Sequence, residues 1–175
     1  MRVIRLNIIQ RLFIAWVMMA ACSAGAQASG AFIARDHIVI DLSHGVEWMR
    51  CSVGQTWDGT NCTGEIVKLD HDHIQKAIEI ANEQLGGTWR LPSLRELEGL
   101  LCMACEGTKI DRTVFPNTSA EPYWTGERNP YATRHIYTVN FFNGYVYGRF
   151  FPYQEMAVRL VRNRTAGVLL PGTTK

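Results

Sequence analysis

The spacing of the hydrophobic positions changes along the chain, and each spacing predicts a different element. The apolar run His37–Leu42 predicts a strand, although its length does not exclude a turn of helix. Farther on, apolar side chains recur every three or four positions, as in a helix with one buried face, at Ile74, Ala77, Ile78, Ala81 and Leu85. Asp70 or Asp72 can cap the start of this helix, and Gly86-Gly87 ends it.

A second helix is predicted after Pro92, because Ser93 and Glu96 have the spacing of a capping box. The leucines that would form its buried side are Leu94, Leu97, Leu100 and Leu101. Apolar and polar residues then alternate, as they do in strands, over residues 135–141, 145–150 and 157–162. Asn143-Gly144 is a hairpin turn signal. Helices followed by antiparallel strands predict an α+β fold, with two helices packed on a sheet.

The N-terminus has the three parts of a secretory signal peptide. Three arginines precede the apolar run Leu12–Ala21, which is too short to span a membrane, and Ala-x-Ala cleavage sites follow it. We therefore expect residues 1–28 to be a signal peptide, residues 29–165 to form one domain and residues 166–175 to be a flexible tail.

After export the protein would lie in the periplasm, on the cell surface or in the medium. A lipoprotein is the alternative, because Met19-Ala-Ala-Cys22 resembles a lipobox with methionine where leucine is usual. Lipidation of Cys22 would then attach the domain to a membrane; otherwise no membrane contact is expected.

The cysteine count agrees with an oxidising compartment. Apart from Cys22 the chain has four cysteines, an even number that indicates two disulfides. Three pairings exist, and closeness in sequence favours Cys51 with Cys62 and Cys102 with Cys105. The first pair would bound a hairpin or loop within residues 49–64.

Charge is distributed unevenly between the halves of the expected domain. Residues 29–105 carry six basic and eleven acidic residues, and residues 106–175 carry nine and five. The domain as a whole is nearly neutral, so no nucleic-acid partner is expected.

Candidate catalytic and metal-binding patterns are incomplete. His71-Asp-His73 has ligand residue types, but it lies where a helix begins, and a capping aspartate accounts for it. Cys102-Met-Ala-Cys105 has thiol-redox spacing, but it follows a helix, whereas the thioredoxin motif lies at a strand-to-helix turn. We expect a non-enzymatic protein with no metal and no cofactor.

Residues 123–153 combine aromatic side chains with arginines. Rings stack on sugars and guanidinium groups bind sulfate or carboxylate, although most of the rings can instead be the core of the sheet. Gly126 and Pro130 predict that residues 124–134 form a loop, where binding residues are common. The predicted ligand-binding residues are Trp124, Arg128, Tyr131, Arg134 and Arg149.

Short motifs occur in a fixed order over about residues 45–162. They are Trp48-Met-Arg-Cys51, Gly54-Gln-Thr-Trp57, Cys62-Thr-Gly64, Trp89-Arg-Leu-Pro92, Glu96-Leu97, Phe115-Pro116, Tyr123-Trp-Thr125 and Val158-Arg-Leu-Val-Arg162. Together they resemble the Lcl C-terminal-domain family, small exported bacterial domains of mostly unknown function. The resemblance implies a C-type-lectin-like α+β domain with two helices and a curled antiparallel sheet. A member of that family is associated with adhesion and sulfated polysaccharides.

These observations predict an exported, disulfide-bonded binding module for an acidic polysaccharide or an envelope protein. A structural accessory subunit of a pilus or secretion assembly is one alternative. A thiol-redox factor or another envelope enzyme is the other.

Overall fold

A computed structural model describes residues 31–164. The expected signal peptide, the lipidation candidate Cys22 and the expected tail therefore lie outside the described residues. Within residues 31–164, no helix is long and apolar enough to cross a membrane.

The first sheet is antiparallel and contains the first and the last strand of the described chain, one at each edge. Its strands are β1 (Phe32–Arg35), β2 (Ile38–Asp41), β3 (Val46–Met49) and β9 (Val161–Asn163). They lie in the order β1-β2-β3-β9. β2 confirms the strand predicted over residues 37–42.

A disulfide-bonded hairpin follows the first three strands. It consists of β4 (Thr56–Trp57) and β5 (Cys62–Thr63). The bond from Cys51 to Cys62 joins the end of β3 to this hairpin, and a second bond joins Cys102 to Cys105. Both predicted pairings are confirmed.

The two helices begin where their capping residues predict. α1 (His71–Leu85) starts after Asp70, whose carboxylate accepts the backbone N–H of His73, and ends at Gly86 with φ 66°. α2 (Leu94–Glu98) starts after Ser93 with a complete capping box. α2 is shorter than its leucines predict, because the chain turns at Gly99 beside the His44 ring. Leu100 is buried but lies beyond the helix.

The third sheet contains the aromatic segment. Its strands are β6 (Pro122–Arg128), β7 (Ile136–Asn140) and β8 (Tyr145–Phe150), paired antiparallel in that order. The strands predicted over residues 135–141 and 145–150 are confirmed. The predicted loop over residues 124–134 is wrong in its first half, because β6 continues to Arg128. Gly126 allows β6 to pass close to Leu91, since a Cβ there would lie 3.2 Å from the Leu91 Cβ.

The order of elements also differs from the prediction. Strands β1–β5 precede the first helix, so helices do not come first. The closing strand predicted over residues 157–162 begins only at Val161, as β9. Before it, Met156 and Ala157 form only isolated bridges. Residues 31–164 therefore form an α+β fold with two helices and three antiparallel sheets, whereas one curled sheet was expected.

Two hydrophobic clusters form the core. The first packs the first and third sheets against α2 and includes Trp48, Leu97, Phe115, Tyr123, Val139 and Phe141. The second lies under α1 and includes Ile74, Trp89, Trp124, Ile136, Val158 and Leu160. For Tyr123, Trp124 and Phe141, which belong to the aromatic segment 123–153, the interpretation as core is confirmed.

Candidate functional site

Trp124 differs from the other predicted ligand-binding residues because it is fully buried. Its ring packs edge-on against His71, at 4.8 Å between centroids, and against Phe150. Its Nε1 donates a hydrogen bond to the Leu69 carbonyl at 2.9 Å. The indole is fully buried and its one polar atom is bonded within the core, so Trp124 contributes to no exposed surface.

The three predicted arginines lie at one end of the third sheet. Arg128, Ile136 and Phe150 are paired across β6, β7 and β8, so they form one row with about 4.8 Å between strands. Arg134 precedes Ile136 by two residues, and Arg149 directly precedes Phe150. All three arginines are exposed. Among the ion pairs of residues 31–164, none includes any of them.

The loop between β6 and β7 is held by its own hydrogen bonds. The Asn129 side chain accepts the Tyr131 N–H at 2.9 Å and donates to the Gly148 carbonyl at 2.8 Å. Arg128 donates to the Thr133 carbonyl across the same loop. Tyr131 lies at the tip and is 95% exposed. The loop therefore presents this ring to solvent on a fixed backbone.

The segment after β8 adds aromatic side chains to this end of the sheet. Phe151 stacks on Tyr153, with ring centroids 5.3 Å apart, and lies 4.3 Å from the His135 ring. Tyr153 is exposed and was not among the predicted residues. The sequence feature that could have indicated its exposure is Pro152. A proline cannot donate a hydrogen bond to a neighbouring strand, so the chain leaves the sheet after β8 and Tyr153 follows outside it. We call the exposed set Arg128, Tyr131, Arg134, Arg149 and Tyr153 the hairpin face.

His71 lies next to the hairpin face, at the start of α1. Its backbone N–H donates to the Pro152 carbonyl at 2.9 Å. Burial, with a smaller contribution from the positive charge of Arg128, lowers the pKa of His71. The imidazole is therefore neutral near pH 7, and the arginines supply the charge of this region.

Two arginines of the second half, Arg159 and Arg162, do not contribute free positive charge to the surface. Arg159 is fully buried, and its guanidinium donates to the Met49 and Arg50 carbonyls and to the Thr118 hydroxyl. Burial lowers its pKa to about 10. Arg162 pairs with Glu47 at 2.8 Å. Arg159 and Arg162 are therefore buried or paired, whereas the arginines of the hairpin face are exposed and form no ion pair within residues 31–164.

Arg90, which belongs to the motif Trp89-Arg-Leu-Pro92, stabilises α2. Arg90 binds Glu96 through two hydrogen bonds of 2.8 Å each. Glu96 also accepts the Ser93 backbone N–H at 2.7 Å. The hydrogen bonds from Arg90 are the main reason that the pKa of Glu96 falls to about 2. Arg90 and Glu96 therefore have a structural role.

The remaining sequence candidates are engaged in capping or in disulfides. The His73 ring Nδ1 lies 2.7 Å from the Asp70 carboxylate that caps α1. In the described range, no group of three or more histidine, cysteine or acidic side chains is arranged to hold a metal ion. Cys102 and Cys105 are bonded to each other.

Comparison with known proteins identifies the domain. The sequence model of the Lcl C-terminal domain matches residues 37–162, which is more than half of the chain. No curated protein and no solved structure matches the chain significantly. The ordered motifs and the family match agree, and the chain belongs to the Lcl C-terminal domain family.

Proposed function

We propose that this protein is an exported, non-enzymatic module that binds an acidic polysaccharide through its hairpin face. The tripartite N-terminal sequence supports export. We also propose the C-type-lectin-like fold that the resemblance implies, and the pairing of two helices with antiparallel sheets supports it.

One observation carries the proposal. Three exposed arginines without an ion pair in the described chain lie at the same end of one sheet, beside the exposed rings of Tyr131 and Tyr153. A guanidinium group binds sulfate or carboxylate through two parallel hydrogen bonds, and a tyrosine ring packs on the apolar face of a sugar. A polysaccharide that alternates anionic groups with sugar rings matches both kinds of side chain.

Binding on this face would depend on salt concentration. The arginines are exposed, so their attraction to an anion is screened over about 10 Å at 0.1 M salt and about 3 Å at 1 M. A protein partner that docks mainly on the rings would show much weaker dependence, because burial of apolar surface is not screened.

The test compares the wild type with the double variant Arg128→Ala/Arg134→Ala on an immobilised sulfated glycan at low and high salt. Removal of two exposed charge contacts, each worth up to about 1 kcal/mol, should weaken binding roughly five- to thirtyfold at low salt. High salt should remove most of the difference. A matched double variant, Arg95→Ala/Arg112→Ala, loses the same charge from exposed arginines elsewhere and should bind nearly as the wild type does.

Equal weakening by the two double variants would show that only net charge matters and would refute the site. Circular dichroism of each variant shows whether it is folded. Salt-insensitive binding by the wild type would instead favour a protein partner on the aromatic rings.

A further inference from the structure

The two disulfides differ in burial. Cys51 and Cys62 are 8% and 1% exposed, so the bond between them lies inside the domain. Cys102 and Cys105 are each partly exposed, and the two residues between them are fully on the surface. Thiol–disulfide exchange requires that a thiolate reach one of the bonded sulfurs. A thiol in solution can therefore approach the second bond more readily than the first.

The second bond also closes a much smaller loop. Its cysteines are 3 positions apart in the sequence, whereas Cys51 and Cys62 are 11 positions apart. A disulfide that closes a small loop restricts the unfolded chain less, so in this description it stabilises the fold less. The first bond, in contrast, joins the end of β3 to the hairpin of β4 and β5. We therefore expect the fold to depend less on the second bond than on the first.

Contacts that do not involve sulfur hold the ends of the loop that contains the second bond. The Cys102 N–H donates to the Lys109 carbonyl at 3.0 Å, and the Lys109 N–H donates to the Phe141 carbonyl at 2.6 Å. Leu101 and Ile110, on either side of the loop, form an isolated β-bridge, and Ile110 is buried in the first hydrophobic cluster. These contacts remain when the disulfide is reduced. Both thiols would then stay close together in a folded domain and could form the bond again.

The loop carries charges of both signs. From Cys102 to Lys109, the charged residues are Glu106 and Lys109 itself. The Lys109 ammonium donates to the Cys105 carbonyl at 2.8 Å, and Glu106 is exposed. Since the two charges offset each other, the loop does not select thiols by their charge. Access to the sulfurs is then the property that distinguishes the two bonds.

We propose that the Cys102–Cys105 bond exchanges with a dithiol of another molecule, and that the Cys51–Cys62 bond is structural. A thiolate of the dithiol attacks one of the two sulfurs and forms a mixed disulfide, and the other cysteine leaves as a thiolate that takes a proton from water. The second thiolate of the dithiol then attacks its own bonded sulfur and releases the first cysteine, which is protonated in the same way. The cysteine pair gains two electrons and two protons, and the dithiol, which loses them, becomes a disulfide. This site shares no residue with the hairpin face and is independent of glycan binding.

The experiment treats the whole folded protein with dithiothreitol, an uncharged dithiol, and then blocks free thiols with N-ethylmaleimide. Peptide mapping by mass spectrometry measures the label on each cysteine over time, and circular dichroism follows the fold. We expect Cys102 and Cys105 to be labelled at least about tenfold faster than Cys51 and Cys62, with an unchanged dichroism spectrum. The buried bond is thus the control within the same molecule. Equal rates for the two bonds, or label on Cys102 and Cys105 only after the protein unfolds, would overturn the proposal.

Two further measurements distinguish an exchange site from a bond that is only accessible. In mixtures of reduced and oxidised glutathione, the oxidised fraction of Cys102–Cys105 should follow their ratio, whereas a structural disulfide stays oxidised in reduced glutathione. Cys105→Ser leaves Cys102 without its partner, and this variant should hold glutathione as a mixed disulfide. The matched variant Cys102→Ser/Cys105→Ser should take up no glutathione and should unfold at nearly the urea concentration of the wild type. A bond that stays oxidised in reduced glutathione, a single variant that captures none, or a double variant that does not fold would each contradict the proposal.

Discussion

The ion pair between Arg90 and Glu96 supports a quantitative prediction for the pH dependence of stability. The substitution is Glu96→Gln. Glutamine removes the negative charge, but it keeps an oxygen that can still accept the Ser93 backbone N–H, as in a capping box with glutamine. The variant therefore tests the charge while it retains the cap.

The structure sets the size and the sign of the effect. Lowering the pKa of Glu96 from its ordinary 4.5 to about 2 corresponds to at most roughly 3.4 kcal/mol, at about 1.36 kcal/mol per pKa unit. Arg90 is 38% exposed, and screening reduces the contribution, so we expect about 2 kcal/mol. Because the folded-state pKa is the lower one, this stability is present above about pH 4.5 and is lost as the pH falls towards 2.

Urea unfolding, followed by tryptophan fluorescence at several pH values, measures the free energy of unfolding. Near neutral pH the variant should be less stable than the wild type by about 2 kcal/mol, and the difference should shrink as the pH falls from about 4.5 towards 2. Glu98→Gln removes an exposed carboxylate from the same helix and should change stability by less than about 0.5 kcal/mol. A constant difference at all pH values, or no difference near neutral pH, would refute the reasoning.

Two further predictions concern the buried arginine and the N-terminus. Arg159→Met should lower the free energy of unfolding by about 2–4 kcal/mol, because it leaves buried acceptors around Met49 and Thr118 without a donor, and Arg95→Met should change it little. The intact mass of the protein from a bacterial envelope fraction should correspond to a chain that begins between residues 22 and 29. A mass that includes Met1 would contradict export with cleavage, and a diacylglycerol group on Cys22 would identify a lipoprotein.

Local signals in the sequence predicted the elements whose ends depend on one or two side chains. The caps at Asp70 and Ser93 place both helix starts, because each side-chain oxygen binds an otherwise unpaired N–H. The turn at Asn143-Gly144 was predicted because only a few residues accept its positive φ. The short strand β3 was missed although it pairs with the adjacent strand β2. The pairing of β3 with β9 was missed because the two strands lie far apart in the sequence.

The sequence predicted the exposed residues of the candidate site, Tyr153 excepted, but not the burial of Trp124. Gly126 shows the physical reason. A glycine among polar residues indicates a loop, but at Gly126 the absence of a side chain serves the close approach of β6 to Leu91. That contact is tertiary, so the local sequence does not contain it. Because β6 extends to Arg128, Trp124 lies in the core and Arg128 lies at the end of the strand. Tyr131 and Arg134 lie on the exposed loop that follows.

The motifs that identify the family encode the scaffold. Arg90 and Glu96 hold the start of α2, Arg159 fills a buried pocket of carbonyls and hydroxyls, and Arg162 pairs with Glu47 while it lies over the Trp89 ring. These side chains are used for folding and are not free to meet a ligand. The five residues of the hairpin face all lie outside these motifs. Membership of the family therefore accounts for the scaffold, whereas the binding residues that we propose, Tyr131 and Arg134 among them, are not part of what identifies the family.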